Sequence, residues 1–215
     1  MPRYPYIAVE GVIGVGKTTL ARLMCDSLQA ELLLEVFEEN PFLSDFYADR
    51  DRYAFQTQIF FLLSRYHQQH CVIEPTLARA PLVSDYSFAK DRLFAHLNLA
   101  GDELGMYDRV HNVLAEKIPR PDLVVYLRAG VDTLMERIAM RDRPYERTMS
   151  RDYIAALRNA YEDFFTDYPG APVLSIDTDD LNWVSDPEAL AYVVGRVRAA
   201  LENGFEQQRL PLFGS

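Results

Sequence analysis

The residues Gly11-Val12-Ile13-Gly14-Val15-Gly16-Lys17-Thr18 fit the pattern G-x-x-x-x-G-K-[ST] at every fixed position, and Thr19 follows. Glycines let backbone N–H groups approach phosphate oxygens closely, and the N-terminus of the helix that follows adds partial positive charge. In such a loop the lysine reaches the β- and γ-phosphates and the Thr18 hydroxyl ligates Mg²⁺. The flanks agree with that geometry. Ile7-Ala8-Val9 is a short apolar run suited to a buried strand, and Leu20, Leu23, Met24 and Leu28 recur at helical spacing. A turn that merely joins strand to helix has no need of the Lys17-Thr18 pair. The pattern implies binding of a nucleoside triphosphate with Mg²⁺.

Other residues qualify by type and place. Asp85 closes the apolar run 81–84, where a phosphate-loop protein sets its second magnesium-organising acid. A strand-end cap is the plainer use of such an aspartate. Asp122 begins its run instead, and so falls at the opposite edge as a turn residue. Glu35 closes another apolar run, where its carboxylate can accept a proton from an attacking hydroxyl; Glu38 and Glu39 suit a solvated surface better. Arg137 and Arg141 are four apart on one helix face, with Arg143 just beyond. Three guanidiniums near phosphates neutralise charge on a transferring phosphoryl group. A solvated basic face paired with Glu136 and Asp142 fits the same residues equally well. Gln56 carries an amide that can meet a base edge, although a single Gln on a helix is usually surface. His67 and His70 are three apart, but no further His or Cys stands at metal spacing, so a surface position suits them.

Something must carry these groups to one place. Short apolar runs at 7–9, 31–36, 81–85, 121–127 and 172–176 predict five strands, alternating with helices. The helices are expected after the glycine loop and at 41–48, 53–70, 88–97, 102–117, 131–140, 151–168 and 187–201, with no clear expectation for 205–215. Strands and helices in alternation imply an α/β fold, a five-stranded parallel sheet covered by helices on both faces, in a single domain spanning 1–215. In open sheets of this kind ligands bind beyond the carboxyl ends of the strands. That rule brings the glycine loop, Glu35, Asp85 and the segment after Leu127 to one edge.

At 215 residues the chain is long enough for a well-buried core, and its 49% apolar and 25% charged content exclude disorder and fibrous repeats. A net charge of −10 argues against general affinity for nucleic acid or anionic membranes. No apolar run approaches membrane-spanning length and no signal-like segment precedes the first strand, so a cytoplasmic protein is expected. Cys25 and Cys71 are too few for a disulfide framework and suit reduced packing positions.

Together these stretches resemble the deoxynucleoside kinases, nearest the bacterial deoxyguanosine kinases. The resemblance covers residues 7–165 and is carried by IAVEGVIGVGKTTLA, LLEVFEENPFLSDFYADRDRYAFQTQIFFL, VSDYSFAKDRLFA, PDLVVYL and ERIAMRDRPYE. It implies a P-loop fold with an arginine-rich lid at about 141–149. It implies Glu35 as the base that takes the proton of a nucleoside 5′-hydroxyl, Gln56 as reader of the base, and Phe94 as an aromatic stacked on it. Tyr47 and Glu146 would hold the deoxyribose 3′-hydroxyl, and Arg137, Arg141 and Arg143 would be the lid arginines. Three departures stand out. Asp85-Tyr86-Ser87 has a tyrosine where the family carries an arginine, and Leu63 stands where some members carry a base-reading arginine. A base-reading acid falls on Asp91 counted forward from Asp85, but on Lys90 counted back from Phe94-Ala95.

The reading is ATP-dependent phosphorylation of a purine deoxynucleoside, deoxyguanosine first, with deoxyadenosine or deoxycytidine as the alternative. A thymidylate-type monophosphate kinase would need cations to grip an acceptor phosphate, and the Glu35–Tyr47 region is acidic and aromatic instead. A non-catalytic P-loop regulator would have no need of base, lid and sugar residues together. The family habit implies a homodimer, with the helices expected at 53–70 and 102–117 as its interface.

Overall fold

A computed structural model describes residues 3–36, 39–147 and 149–202. Five parallel strands form one sheet in the order β2-β3-β1-β4-β5, from β1 (Tyr6–Gly11), β2 (Glu31–Leu33), β3 (Leu82–Ser84), β4 (Leu123–Arg128) and β5 (Val173–Asp177). β1 is central because its six residues are all buried, which requires a neighbour on each side and a cover on each face. It pairs Ile7 with Val83 of β3 and with Leu123 of β4. The chain builds one side of β1 with β2 and β3 and the other with β4 and β5. The crevice beyond the strand ends opens where those directions part.

Eight helices cover the sheet among the described residues: α1 (Lys17–Leu28), α2 (Leu43–Ala48), α3 (Arg50–Leu77), α4 (Lys90–Asn98), α5 (Gly101–Ala115), α6 (Val131–Arg141), α7 (Arg151–Thr166) and α8 (Pro187–Glu202). Two apolar clusters result. The larger joins the sheet to α1, α6, α7 and α8; the smaller packs α3, α4 and α5 around Leu62, Ile73 and Tyr107.

The sequence expectations need adjusting at several boundaries. β2 ends at Leu33, so Glu35 lies in the extended segment beyond it. Residues 50–52, which fall between the helices expected at 41–48 and 53–70, form the first turn of α3, capped where the Asp49 side chain accepts from the Arg52 amide at 3.4 Å. The same helix continues seven residues beyond the expected end at His70 because Ile73, Thr76 and Leu77 extend its buried stripe. Cys71 is therefore on α3, exposed, while Cys25 is buried on α1; both are free thiols. The segment expected as the lid runs from the end of α6 through a 3₁₀ turn at Pro144–Glu146 towards α7. Thr148, Glu38 and the tail at 205–215 lie outside the described residues. No helix among the described residues is long and apolar enough to cross a membrane.

The exit from β1 is sterically tight. Gly11 has φ +144°, and a Cβ there would lie 2.5 Å from the Leu127 carbonyl oxygen on β4. Gly11→Ala is therefore expected to lower unfolding stability by ~1–3 kcal/mol, measured by urea denaturation followed by circular dichroism.

Candidate active site

The glycine loop closes on itself. Lys17 donates from Nζ to the carbonyls of Gly11 at 2.7 Å and Val12 at 3.1 Å, and the Val15 amide donates to Val12 O at 3.2 Å. Burial pushes the Lys17 amine down to about 8 and the nearby charge of Lys90 adds to this, against the attraction of Glu10, Glu35 and Asp85. Gly16 sits in the left-handed region at φ +102° under the ring of Trp183, which would stand 3.0 Å from a Cβ. Trp183 is the single tryptophan of the chain. Val12 and Val15 are buried anchors of the loop, while Ile13, Gly14, Thr18 and Thr19 line cavities on either side of it.

One carboxylate joins the loop to the neighbouring strands. Asp85 accepts from the Thr18 hydroxyl at 2.5 Å through one oxygen and from the Glu35 backbone amide at 2.8 Å through the other. The segment bearing Glu35 is held from α3 as well, because Gln68 Nε2 donates to Leu34 O at 2.8 Å and its carbonyl accepts from Tyr86 Oη at 2.5 Å.

The Glu35 side chain is 13% exposed. Its Oε1 accepts from Arg65 of α3, with Nε at 2.9 Å, and its Oε2 accepts from Lys90 Nζ at 2.6 Å. Burial alone would raise its pKa, but Arg65 and Lys90 outweigh it and hold the carboxyl well below the usual carboxylate range. Arg65 also pairs with Asp91 of α4, which is fully buried. Lys90 and Asp91 thus both belong to the site. Lys90 lines the cavity beside Glu35, while Asp91 stands against Arg65.

A second buried acid supports this arrangement. Glu10, on β1 and 0% exposed, accepts from the Ser87 amide at 2.6 Å and hydroxyl at 2.8 Å, which fixes the turn between Asp85 and α4. Burial raises its pKa, against the pull of Lys90, Lys17 and those two hydrogen bonds.

The expected sugar residues line the same cavity. Tyr47 of α2 and Glu146 line the cavity together, with the Tyr47 ring stacked on Tyr145 at 6.1 Å between centroids. Glu146 is 5% exposed and accepts from Arg141 at 2.6 and 2.7 Å; Arg143 stands 3.7 Å away. Phe94 also lines the cavity, edge-on to Tyr161 at 6.3 Å.

Arg137 lines the cavity along the glycine loop together with Arg141 and Arg143, and stays off the acceptor cavity. It donates to Thr178 O at 2.7 Å and Thr178 Oγ1 at 3.0 Å and leans on Val15 O at 3.4 Å, clamping the end of β5 to the glycine loop. Arg141 and Arg143 line both the acceptor cavity and the second cavity along the loop; Arg137 lines only the latter. Gln56 is exposed and outside the cavity, and Gln58 takes its place. Two residues turn a helix by about 200°, so a register error of two exchanges inside for outside. Gln58 is 2% exposed and lines the cavity, and its carbonyl oxygen has no hydrogen-bond partner among the described residues, which a ligand can supply. The same shift disposes of the arginine that seemed missing. Seven residues beyond Gln58 is Arg65, buried, whereas Leu63 is 49% exposed. The spacing of Gln58 and Arg65, two helical turns apart on one face, was a readable signal that the neighbouring Gln56 obscured. His67 and His70 are exposed, and among the described residues no His, Cys, Asp and Glu cluster is built for a metal. Thr18 and Asp85 are a smaller, all-oxygen pair, which suits Mg²⁺ because that ion takes one or two protein oxygens and completes its shell with phosphates and water.

The sequence model of the family described as deoxynucleoside kinase matches residues 7–202. The chain belongs to the deoxynucleoside kinase family. It is 33% identical over 195 residues to deoxyguanosine kinase of Bacillus subtilis, covering 87% of this chain and 94% of that one. It is 36% identical over 197 residues to deoxyadenosine kinase of Dictyostelium discoideum, covering 88% and 77%. It is 28% identical to the deoxyadenosine/deoxycytidine kinase of B. subtilis over 94% of this chain and 96% of the relative. Among solved structures, deoxyadenosine kinase from M. mycoides with bound dATP superposes with a TM-score of 0.78 at 24% identity, over 91% of this chain and 100% of that one. Family membership makes the chain a phosphotransferase of nucleosides, and relatives acting on different bases leave the base to be argued from the site.

Gln58→Ala is expected to raise KM for the nucleoside by ~2–10-fold, the value of one to two hydrogen bonds. Gln56→Ala is expected to leave it unchanged, and steady-state kinetics of the two variants side by side check the register.

Proposed function

We propose that the protein transfers the γ-phosphate of ATP to the 5′-hydroxyl of a purine deoxynucleoside, deoxyguanosine in first place. The observation that carries the reading is the double hydrogen bond of Asp85. It sets the hydroxyl that serves the phosphate donor, Thr18, beside the segment bearing the carboxylate that serves the acceptor, Glu35.

In this reading the glycine loop and Lys17 bind the β- and γ-phosphates. Thr18 and Asp85 would hold Mg²⁺, which when bound neutralises charge on the phosphates. Glu35 accepts the hydrogen bond of the 5′-hydroxyl, orients that oxygen in line with the γ-phosphorus, and receives its proton. Arg141 and Arg143, lining both cavities, stand against the charge spread over the transferring group. Tyr47 and Glu146 bind the 3′-hydroxyl, and Phe94 packs on the base. Little covalent chemistry is asked of the protein, so positioning and electrostatics supply most of the rate.

For the base, Gln58 presents an amide at the cavity wall, and the B. subtilis deoxyguanosine kinase relative, 33% identical, supports deoxyguanosine. Deoxyadenosine is the competing acceptor, favoured by the 36% identical Dictyostelium relative. A monophosphate acceptor is disfavoured because Arg65 and Lys90 are already paired with Glu35, and Arg141 with Glu146. The same reading includes a cytoplasmic setting and a homodimer formed by α3 and α5, whose Leu63, Met106 and Val113 are 49%, 49% and 61% exposed.

ADP formation with deoxyguanosine, deoxyadenosine, deoxycytidine, thymidine and dGMP as acceptors tests the function, with deoxyguanosine expected to give the highest kcat/KM; turnover of dGMP alone ends the reading. Glu35→Gln is expected to lower kcat by ~10²–10⁴-fold with little change in ATP affinity. Gel filtration is expected to give the mass of two chains, and a monomer at working concentration removes the proposed interface.

A further inference from the structure

α4 begins with Lys90, which is unfavourable on three counts. A helix N-terminus disfavours a cation, the residue is 4% exposed, and Lys17 is close enough for the charge of Lys90 to lower its pKa. A lysine survives there only if something repays desolvation and repulsion. Among the described residues its one ion-pair partner is Glu35, at 2.6 Å. The amine also lies 5.6 Å from the centroid of the Tyr86 ring, four residues earlier in the segment leading to α4.

Arg65 is the other cation on Glu35, but it is shared. Its remaining arm pairs with Asp91, one residue along α4. The two cations approach different carboxylate oxygens, Arg65 on Oε1 and Lys90 on Oε2. An incoming 5′-hydroxyl must take a place on this carboxylate. Arg65 can yield one contact and remain paired through Asp91, whereas Lys90 that left Glu35 would lose its ion pair and keep only the more distant attraction of Glu10. The turn leading to Lys90 is itself fixed by Glu10 through Ser87, so the amine has little freedom to follow a ligand.

We propose that Lys90 is a positioning residue for phosphoryl transfer: it pins Oε2 of Glu35 so that the other oxygen faces the 5′-hydroxyl. This assigns Lys90 to the 5′ end of the nucleoside and not to the edge of the base. The inference rests on the proposed kinase reading, in which Glu35 receives the 5′-hydroxyl.

The test is a double-mutant cycle on kcat with ATP and the best acceptor, using Lys90→Met, Glu35→Gln and both together. Lys90→Met is expected to lower kcat ~10–100-fold, the scale of a misplaced reacting group, with KM for ATP and nucleoside changed less than threefold. Because Lys90 acts through Glu35, its removal from the Glu35→Gln enzyme is expected to cost less than threefold more. Lys90→Arg is expected to recover most of the loss. Circular dichroism melts accompany each protein, and Lys90→Gln, which keeps a donor without the charge, replaces Lys90→Met if the latter does not fold. Equal losses from the Lys90 change in both backgrounds, or a raised nucleoside KM with kcat intact and an altered order of base preference, overturn the proposal. A wild-type enzyme that turns over no nucleoside defeats the kinase reading instead, a result distinct from these.

Discussion

Asp85 accepts from the Thr18 hydroxyl and from the Glu35 amide, and through these two hydrogen bonds the start of α1 and the segments beyond β2 and β3 share one carboxylate. The parallel sheet makes this contact available by delivering three strand ends to one edge, within the reach of short side chains. Everything placed further out depends on it. The glycine loop is set against the acid, Glu35 is aimed by its own backbone, and the turn through Ser87 that begins α4 starts from the same strand end. Buried acids need paired hydrogen bonds; here those hydrogen bonds also fix distances between functional groups.

Charge is distributed around this point with little surplus. Glu35 is held by Arg65 and Lys90, Arg65 by Asp91, Glu10 by Ser87 and the nearby lysines, and Glu146 by Arg141. Leaving one member of a buried pair without its partner costs ~3–5 kcal/mol, so each group constrains the next. A chain with net charge −10 thereby keeps a cation-rich crevice. Arg141 and Arg143 face both cavities across it, and Arg137 ties the end of β5 to the loop, leaving Trp183 packed over Gly16.

The site was legible where its geometry is local. The glycine loop can be read from spacing alone, because phosphate binding is done by backbone over eight consecutive residues. Glu35 and Asp85 could be shortlisted because a hydrophobic run that ends in an acid, in a parallel sheet, ends at the ligand edge. The α3 residues were less legible. Gln56 and Gln58 differ by two positions in a stretch rich in aromatics, and each occurs in a plausible setting. Which one faces inward depends on the packing of Phe61, Leu62 and Ile73 against neighbouring elements, which no local spacing states. The same applied to Arg137, which shares a helix face with Arg141 yet reaches the carbonyl of Thr178, a residue beyond the next strand.

By itself, the sequence determined the phosphate loop, the alternation of strands and helices, the acids at the strand ends and the family. These follow from near-neighbour chemistry, where hydrogen-bonding reach and hydrophobic period act over a few residues. Tertiary structure alone decided which glutamine enters the cavity, that Arg65 and Lys90 meet on the two oxygens of Glu35, and that Arg137 serves as a clamp. Those contacts join residues 30 to 55 positions apart in the chain. Their partners are chosen by the way helices settle on the sheet, which is fixed by the burial of the whole core and not by any one segment of it.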